Sequence, residues 1–188
     1  MLIEDLISKD VGIGAREIQT IKQECSQFLS EAGNIPLLKF LPHEYNNFNR
    51  VKVRLQKRTD YVSAIFERAF GSQFSNLRQR AVFAYPTLPP AVAGCDSFYV
   101  FPINGYKYLF SKEVSDSNAS YRGIVEAVAR NMPLDQTSDI VSDLLKYTYT
   151  SVGLTEGIEA GAEIILYNIP CYYAIRTSVK TPYTTFLS

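Results

Sequence analysis

Residues 97–110 and 163–177 are two runs of β-branched and aromatic side chains, each interrupted by only a few turn-forming residues. A parallel crossover needs a dozen or more residues, so strands this close in sequence that pair with each other must pair antiparallel. In the first run Asn104-Gly105 supplies the positive φ angles of a type I′ turn, which predicts a hairpin. Pro102 cannot donate to a ladder, so its strand is expected at an edge or bulged near the turn. In the second run Ile169-Pro170 separates residues 163–168 from 171–177 and predicts a second hairpin.

Helical periodicity fills the stretches between. Ile18, Ile21, Cys25, Phe28, Leu29 and Ala32 recur at helical spacing before Gly33-Asn34, predicting a helix over residues 16–32. A second helix is predicted over 60–71, a third from Ser117 or Asn118 to about Arg130, a fourth after Pro133 with Ile140, Val141, Leu144 and Leu145 on one side, and a short helical turn near 154–160. Residues 37–41, bracketed by Pro36 and Pro42, are read as a connector that tucks apolar side chains into the core. Residues 50–57 alternate basic and apolar side chains at period two, as a half-buried strand does, and 77–85 is also strand-like. The irregular succession predicts an α+β fold, a mainly antiparallel sheet built from hairpins and flanked by amphipathic helices. We expect one domain over residues 1–178, with a Pro-rich loop or arm at 86–94 and a C-terminal tail at 179–188.

Of the 188 residues, 46% are apolar and 20% charged, a composition that folds rather than one that stays disordered. The longest apolar stretches fall short of the roughly 20 residues a bilayer span needs, so no membrane association is expected. The acids of the first five residues stand where a secretory signal would need bases, which predicts a protein that stays in the compartment of its synthesis. Cys25, Cys95 and Cys171 are odd in number, widely spaced and without a C-x-x-C pair, so they are read as buried thiols.

Catalytic groups are sparse. His43 is the sole imidazole, set in a Pro-His-Glu loop outside any nucleophile-elbow context, and is read as an ordinary loop histidine. Gly12-Ile-Gly14 lacks the third glycine and the Lys-Ser/Thr of a phosphate loop and reads as a helix entry. Asp135, Asp139 and Asp143 stack on one predicted helix face without neutral ligands beside them, as a solvated acidic face does. No catalytic residue, cofactor or metal is expected.

Charge is unevenly spread along a chain whose net charge is zero. Between residues 50 and 80, eight cations, among them Arg50, Lys52, Arg54 and Arg58, face two acids, a local balance of +6. Between 135 and 163, six acids face only Lys146, a balance of −5. Three readings are open: contact of the basic segment with nucleic-acid phosphates, mutual neutralisation within the fold, or a head-to-tail contact between copies that closes into a ring. Thirteen tyrosines and eleven phenylalanines suit an interface as well as a core, and Tyr172 and Phe186 join the charged residues as interface candidates.

The order Tyr121-Arg122-Gly123, Thr150-Ser151 and Glu163 resembles that of ADP-ribosyltransferases, although Gly161 stands where the usual Glu-x-Glu has its first acid. That resemblance implies a transferase site around Arg122 and Glu163. Residues 144–151 and 161–175 resemble small proteins of tailed bacteriophages, which implies a viral setting and assigns no residue a role. The function expected is that of a virion structural subunit of the neck, tail or connector, made in the host cytoplasm. Its partners would be other virion proteins and copies of itself, with DNA nearby through the basic segment. A soluble, phage-encoded binder or inhibitor of a host protein is the alternative.

Overall fold

Cys25, Phe28 and Ala32 continue the apolar stripe of Ile21 and are all but inaccessible to solvent, yet the helix that carries them is broken. In the computed structural model, which describes residues 12–55, 77–117, 119–121, 130, 136, 139–140, 143 and 148–187, α1 spans Ala15–Glu24 and α2 spans Ser26–Glu31. Cys25 between them leaves helical geometry at φ −119°. The break is occupied from outside. Asn104 Oδ1 accepts from the Gln27 amide at 3.0 Å, its Nδ2 donates to the Gln23 carbonyl at 3.0 Å, and its own amide donates to the Glu24 carbonyl at 2.7 Å. A side chain 77 positions away thus serves as the N-cap that Cys25 cannot be.

The strands are β1 (Leu38–Pro42), β2 (Phe48–Lys52), β3 (Val82–Ala84), β4 (Cys95–Pro102), β5 (Lys107–Leu109), β6 (Ile164–Tyr167) and β7 (Cys171–Arg176). They form two sheets, one in the order β1-β4-β7-β2 and one in the order β3-β6-β5, with every pair antiparallel. Among the described residues a single rung joins the sheets: Leu38 and Tyr85 exchange amide–carbonyl bonds of 2.7 and 2.9 Å. The chain is therefore α+β and mainly antiparallel, and its helices include α3 (Leu77–Arg80) and α4 (Leu154–Glu159).

Neither predicted hairpin forms. β4 has β1 and β7 on its two sides, so β5 joins the second sheet; β6 lies between β3 and β5, so β7 joins the first. Residues 103–106 and 168–170 carry the chain from one sheet to the other. A type I′ turn needs positive φ at both central residues, and of the pair only Gly105 has it, at +87°. The two crossings are tied together, since Asn168, itself at φ +62°, donates from Nδ2 to the Gly105 carbonyl at 3.1 Å. β4 is also an interior strand rather than the expected edge. The Val100 amide points to β1, so Pro102 lacks its donor on that same side, where β1 has already ended, and no ladder bond is lost.

Other expectations shift at their ends. Residues 37–41 are no connector, because β1 pairs with β4 across all five of its residues. The basic strand starts two residues early and stops at Lys52. Leu77–Arg80 is helical, leaving β3 only three residues, all buried. The helix entered at Ser117 is capped by Asp116, whose Oδ1 accepts from the Ala119 amide at 3.1 Å. The helix predicted over 60–71 lies outside the described residues.

The face of the first sheet that carries Tyr99, Phe101 and Tyr173 packs against α1 and α2, with Phe28 edge-on to Phe101. The expected C-terminal tail completes this layer. Tyr183–Phe186 forms a 3-10 turn whose Tyr183 stacks on Phe101 and whose Phe186 ring lies 5.0 Å from it. Each such buried aromatic contributes about 1.5–3 kcal/mol. At Gly157 in α4, a Cβ would meet the Phe110 ring at 2.6 Å, so the helix reaches the core only because the side chain is absent.

Candidate functional site

β2 is an edge strand of the first sheet, and its register shows which of its groups face outward. The Val53 amide donates to the Pro170 carbonyl at 2.8 Å and the Asn47 carbonyl accepts from the Arg176 amide at 2.9 Å. Bonded and non-bonded pairs alternate in an antiparallel ladder, so Asn47, Asn49, Val51 and Val53 face β7. The amides and carbonyls of Phe48, Arg50 and Lys52 point away from the sheet, and among the described residues no strand pairs with them.

Side chains alternate in the other sense. Arg50 lies opposite Tyr173 and Lys52 opposite Cys171, on the α1 face. There Tyr173 donates from its hydroxyl to Glu24 at 2.7 Å, the Arg50 guanidinium sits 3.8 Å from the same carboxylate and 5.9 Å from the Tyr173 ring, and Phe48 stacks on that ring at 5.4 Å. Burial, followed by the Glu24 hydrogen bond, pushes the Tyr173 hydroxyl up to about 12. Arg50, Lys52 and Arg54 are all exposed. Val51 lies opposite Tyr172 on the other face.

A cleft of about 670 Å³ covers that other face. It reaches from β1 to β2, with Tyr172 and Val51 in its floor and Ala81 with Val82 and Phe83 of β3 along one wall. Consecutive residues 50–54 border it. Among the described residues its charged lining is Lys39, Arg50, Lys52 and Arg54, with no acid. Lys39 reaches across to donate to the Phe83 carbonyl at 3.0 Å.

The remaining candidates disperse. Arg58 and Asp135 lie outside the described residues. Asp139 and Asp143 are exposed on helical residues between β5 and α4. Tyr172 and Phe186, expected at an interface, are 3% and 2% exposed and belong to the chain's own core. The adjacent tyrosines of β7 were expected to leave one ring exposed, but an interior strand covered on both faces buries both. His43 is a strut: its Nδ1 lies 2.9 Å from Asp96, which also binds Arg176. Arg176 in turn donates to the His43 and Tyr45 carbonyls, fastening the β1–β2 loop to β7. Glu163 is 1% exposed, with its carboxylate accepting from the Tyr85 hydroxyl at 2.8 Å and the Ser117 amide at 3.4 Å. Arg122, its partner in the transferase resemblance, lies outside the described residues.

Sequence reading found the basic alternation but missed Glu24, which partners Arg50 from a distant helix, and Arg176, whose cation is enclosed by the sheet end. It also missed the outward backbone of Phe48, where apolar Phe48 and polar Asn49 reverse the basic–apolar alternation of the residues that follow. Among the described residues no group of three potential metal ligands comes together, and no helix is long and apolar enough to cross a membrane. No protein-family model, curated protein or solved structure matches the chain.

Proposed function

We propose that the chain is a structural subunit of a tailed-phage particle, in the neck, tail or connector, that works by contact with other virion proteins and with copies of itself. The observation that carries this reading is the outer edge of β2, which no strand pairs with among the described residues, together with the exposed cations Arg50, Lys52 and Arg54 and a neighbouring cleft whose described lining includes no acid. Such a surface recruits an acidic protein face, steering encounter and fixing orientation. Contact with protein is favoured over DNA because the chain as a whole has a pI near 6.6 and lacks the positive field that drives general phosphate binding. The resemblance of residues 161–175 to phage proteins supports the particle setting, with synthesis in the host cytoplasm.

Mass spectrometry of purified virions tests it. The chain is expected at a fixed copy number, and Arg50→Glu with Lys52→Glu is expected to lower its incorporation about tenfold or more. Finding the chain only in infected-cell lysate, as a monomer, would overturn the particle reading in favour of a soluble binder of a host protein.

A further inference from the structure

We propose that the outer edge of β2 takes up one more strand, antiparallel to it like the other pairs of the sheet, from a different protein chain, an extended segment in which acidic and apolar residues alternate. The inference rests on reading this edge as a partner surface and names the form of that partner.

Three features that arise independently converge on it. The amides and carbonyls of Phe48, Arg50 and Lys52 point outward, so the edge offers ladder bonds to a segment lying alongside. The residues of an added strand opposite Arg50 and Lys52 would share their face, where cross-strand pairing with exposed cations selects carboxylates. The residue between, opposite Val51, would project to the other face, into the cleft floored by Val51 and Tyr172. An apolar side chain suits that place. Polarity thus has to alternate along the ligand with period two, and a helix carrying its acids at four-residue spacing, like Asp139 and Asp143, cannot supply the ladder. The competing view is that Arg50 and Lys52 only guard the edge against unwanted pairing, as charges on edge strands commonly do.

The two views separate in a binding titration of the full chain with synthetic peptides of about six residues, the length of an ordinary strand. A peptide alternating glutamate and valine is expected to bind saturably and to slow amide exchange at Phe48, Arg50 and Lys52. A peptide of the same composition with its glutamates in one block is expected to bind at least about tenfold more weakly. N-methylation of the glutamates removes the amides that would face β2 and should abolish binding. N-methylation of the valines, whose amides face away, should leave it. Arg50→Glu with Lys52→Glu, both exposed, should weaken the alternating peptide about tenfold with the circular dichroism unchanged. Equal binding of the alternating and block peptides would reduce the attraction to net charge and overturn the proposal. Displacement of the peptide by an oligothymidylate of equal charge would assign the edge to nucleic acid instead. No binding at all would leave the cations as a guard. Peptide binding without incorporation into virions would count against the particle alone, and incorporation without peptide binding would count against the added strand alone.

Discussion

Tyr173 shows how much a single side chain can be asked to reconcile. It stands on an interior strand, bears Phe48 on one face of its ring with Arg50 nearby, and still places its hydroxyl on Glu24. A proton held more tightly in the folded than in the unfolded chain stabilises the fold fully below the unfolded value of about 10. That contribution is lost as the pH rises through about 12. Chemical denaturation followed between about pH 9 and about pH 12 should therefore reveal a loss of stability at the alkaline end. Tyr173→Phe should shrink that loss and, at neutral pH, cost about 1 kcal/mol for the hydrogen bond to Glu24. The basic alternation of Arg50 and Lys52 around Val51 was legible because period two depends on nothing outside the strand. The partner that Arg50 takes was not, since Glu24 reaches it through tertiary packing.

Among the elements, the joint between α1 and α2 has the clearest dependence on a distant group. Asn104 satisfies the Gln27 amide and the Gln23 carbonyl at once, so Asn104→Ala should destabilise the chain by about 1–2 kcal/mol, read as a lower midpoint in urea. Asn104→Asp keeps the acceptor for Gln27 and loses the donor to Gln23, and its midpoint should fall between the two. Sequence located this turn correctly and misread what it connects. Asn-Gly reports that the chain reverses; which strand then receives the returning segment depends on the edges still open, and both sides of β4 are taken. The same applies at residues 168–170. Local chemistry sets turns and strand-forming runs, whereas partner choice is settled by strands far away in the chain.

At the scale of the molecule, the segment read as a polar tail closes the core. Polar Lys180, Thr181, Thr184 and Thr185 hide the fact that Tyr183 and Phe186, three residues apart, meet on one side of a 3-10 turn. Phe186→Ala should cost about 3–5 kcal/mol and lower the melting temperature accordingly, whereas a detached tail would tolerate the change. The candidate site was half legible for a related reason. Arg50, Lys52 and Arg54 follow one another at period two and could be counted, but Lys39 comes from β1 and the cleft is lined by β1, β2 and β3 together.

The order of strands within the sheets bears on how the chain is made. β7 joins β4 to β2 and β6 joins β3 to β5, yet both come after every other strand in sequence. A nascent chain that has emerged only as far as residue 163 holds the β1–β4 pair and loose single strands, with apolar faces uncovered. The final two strands convert these pieces into sheets, so assembly is set by long-range contacts that wait for that segment to emerge. During translation the open edges of β2, β3 and β5 are exposed to neighbouring chains for as long as that segment is missing. A ribosome-stalled product ending before residue 164 should accordingly be a chaperone client, and one extended past residue 187 should not.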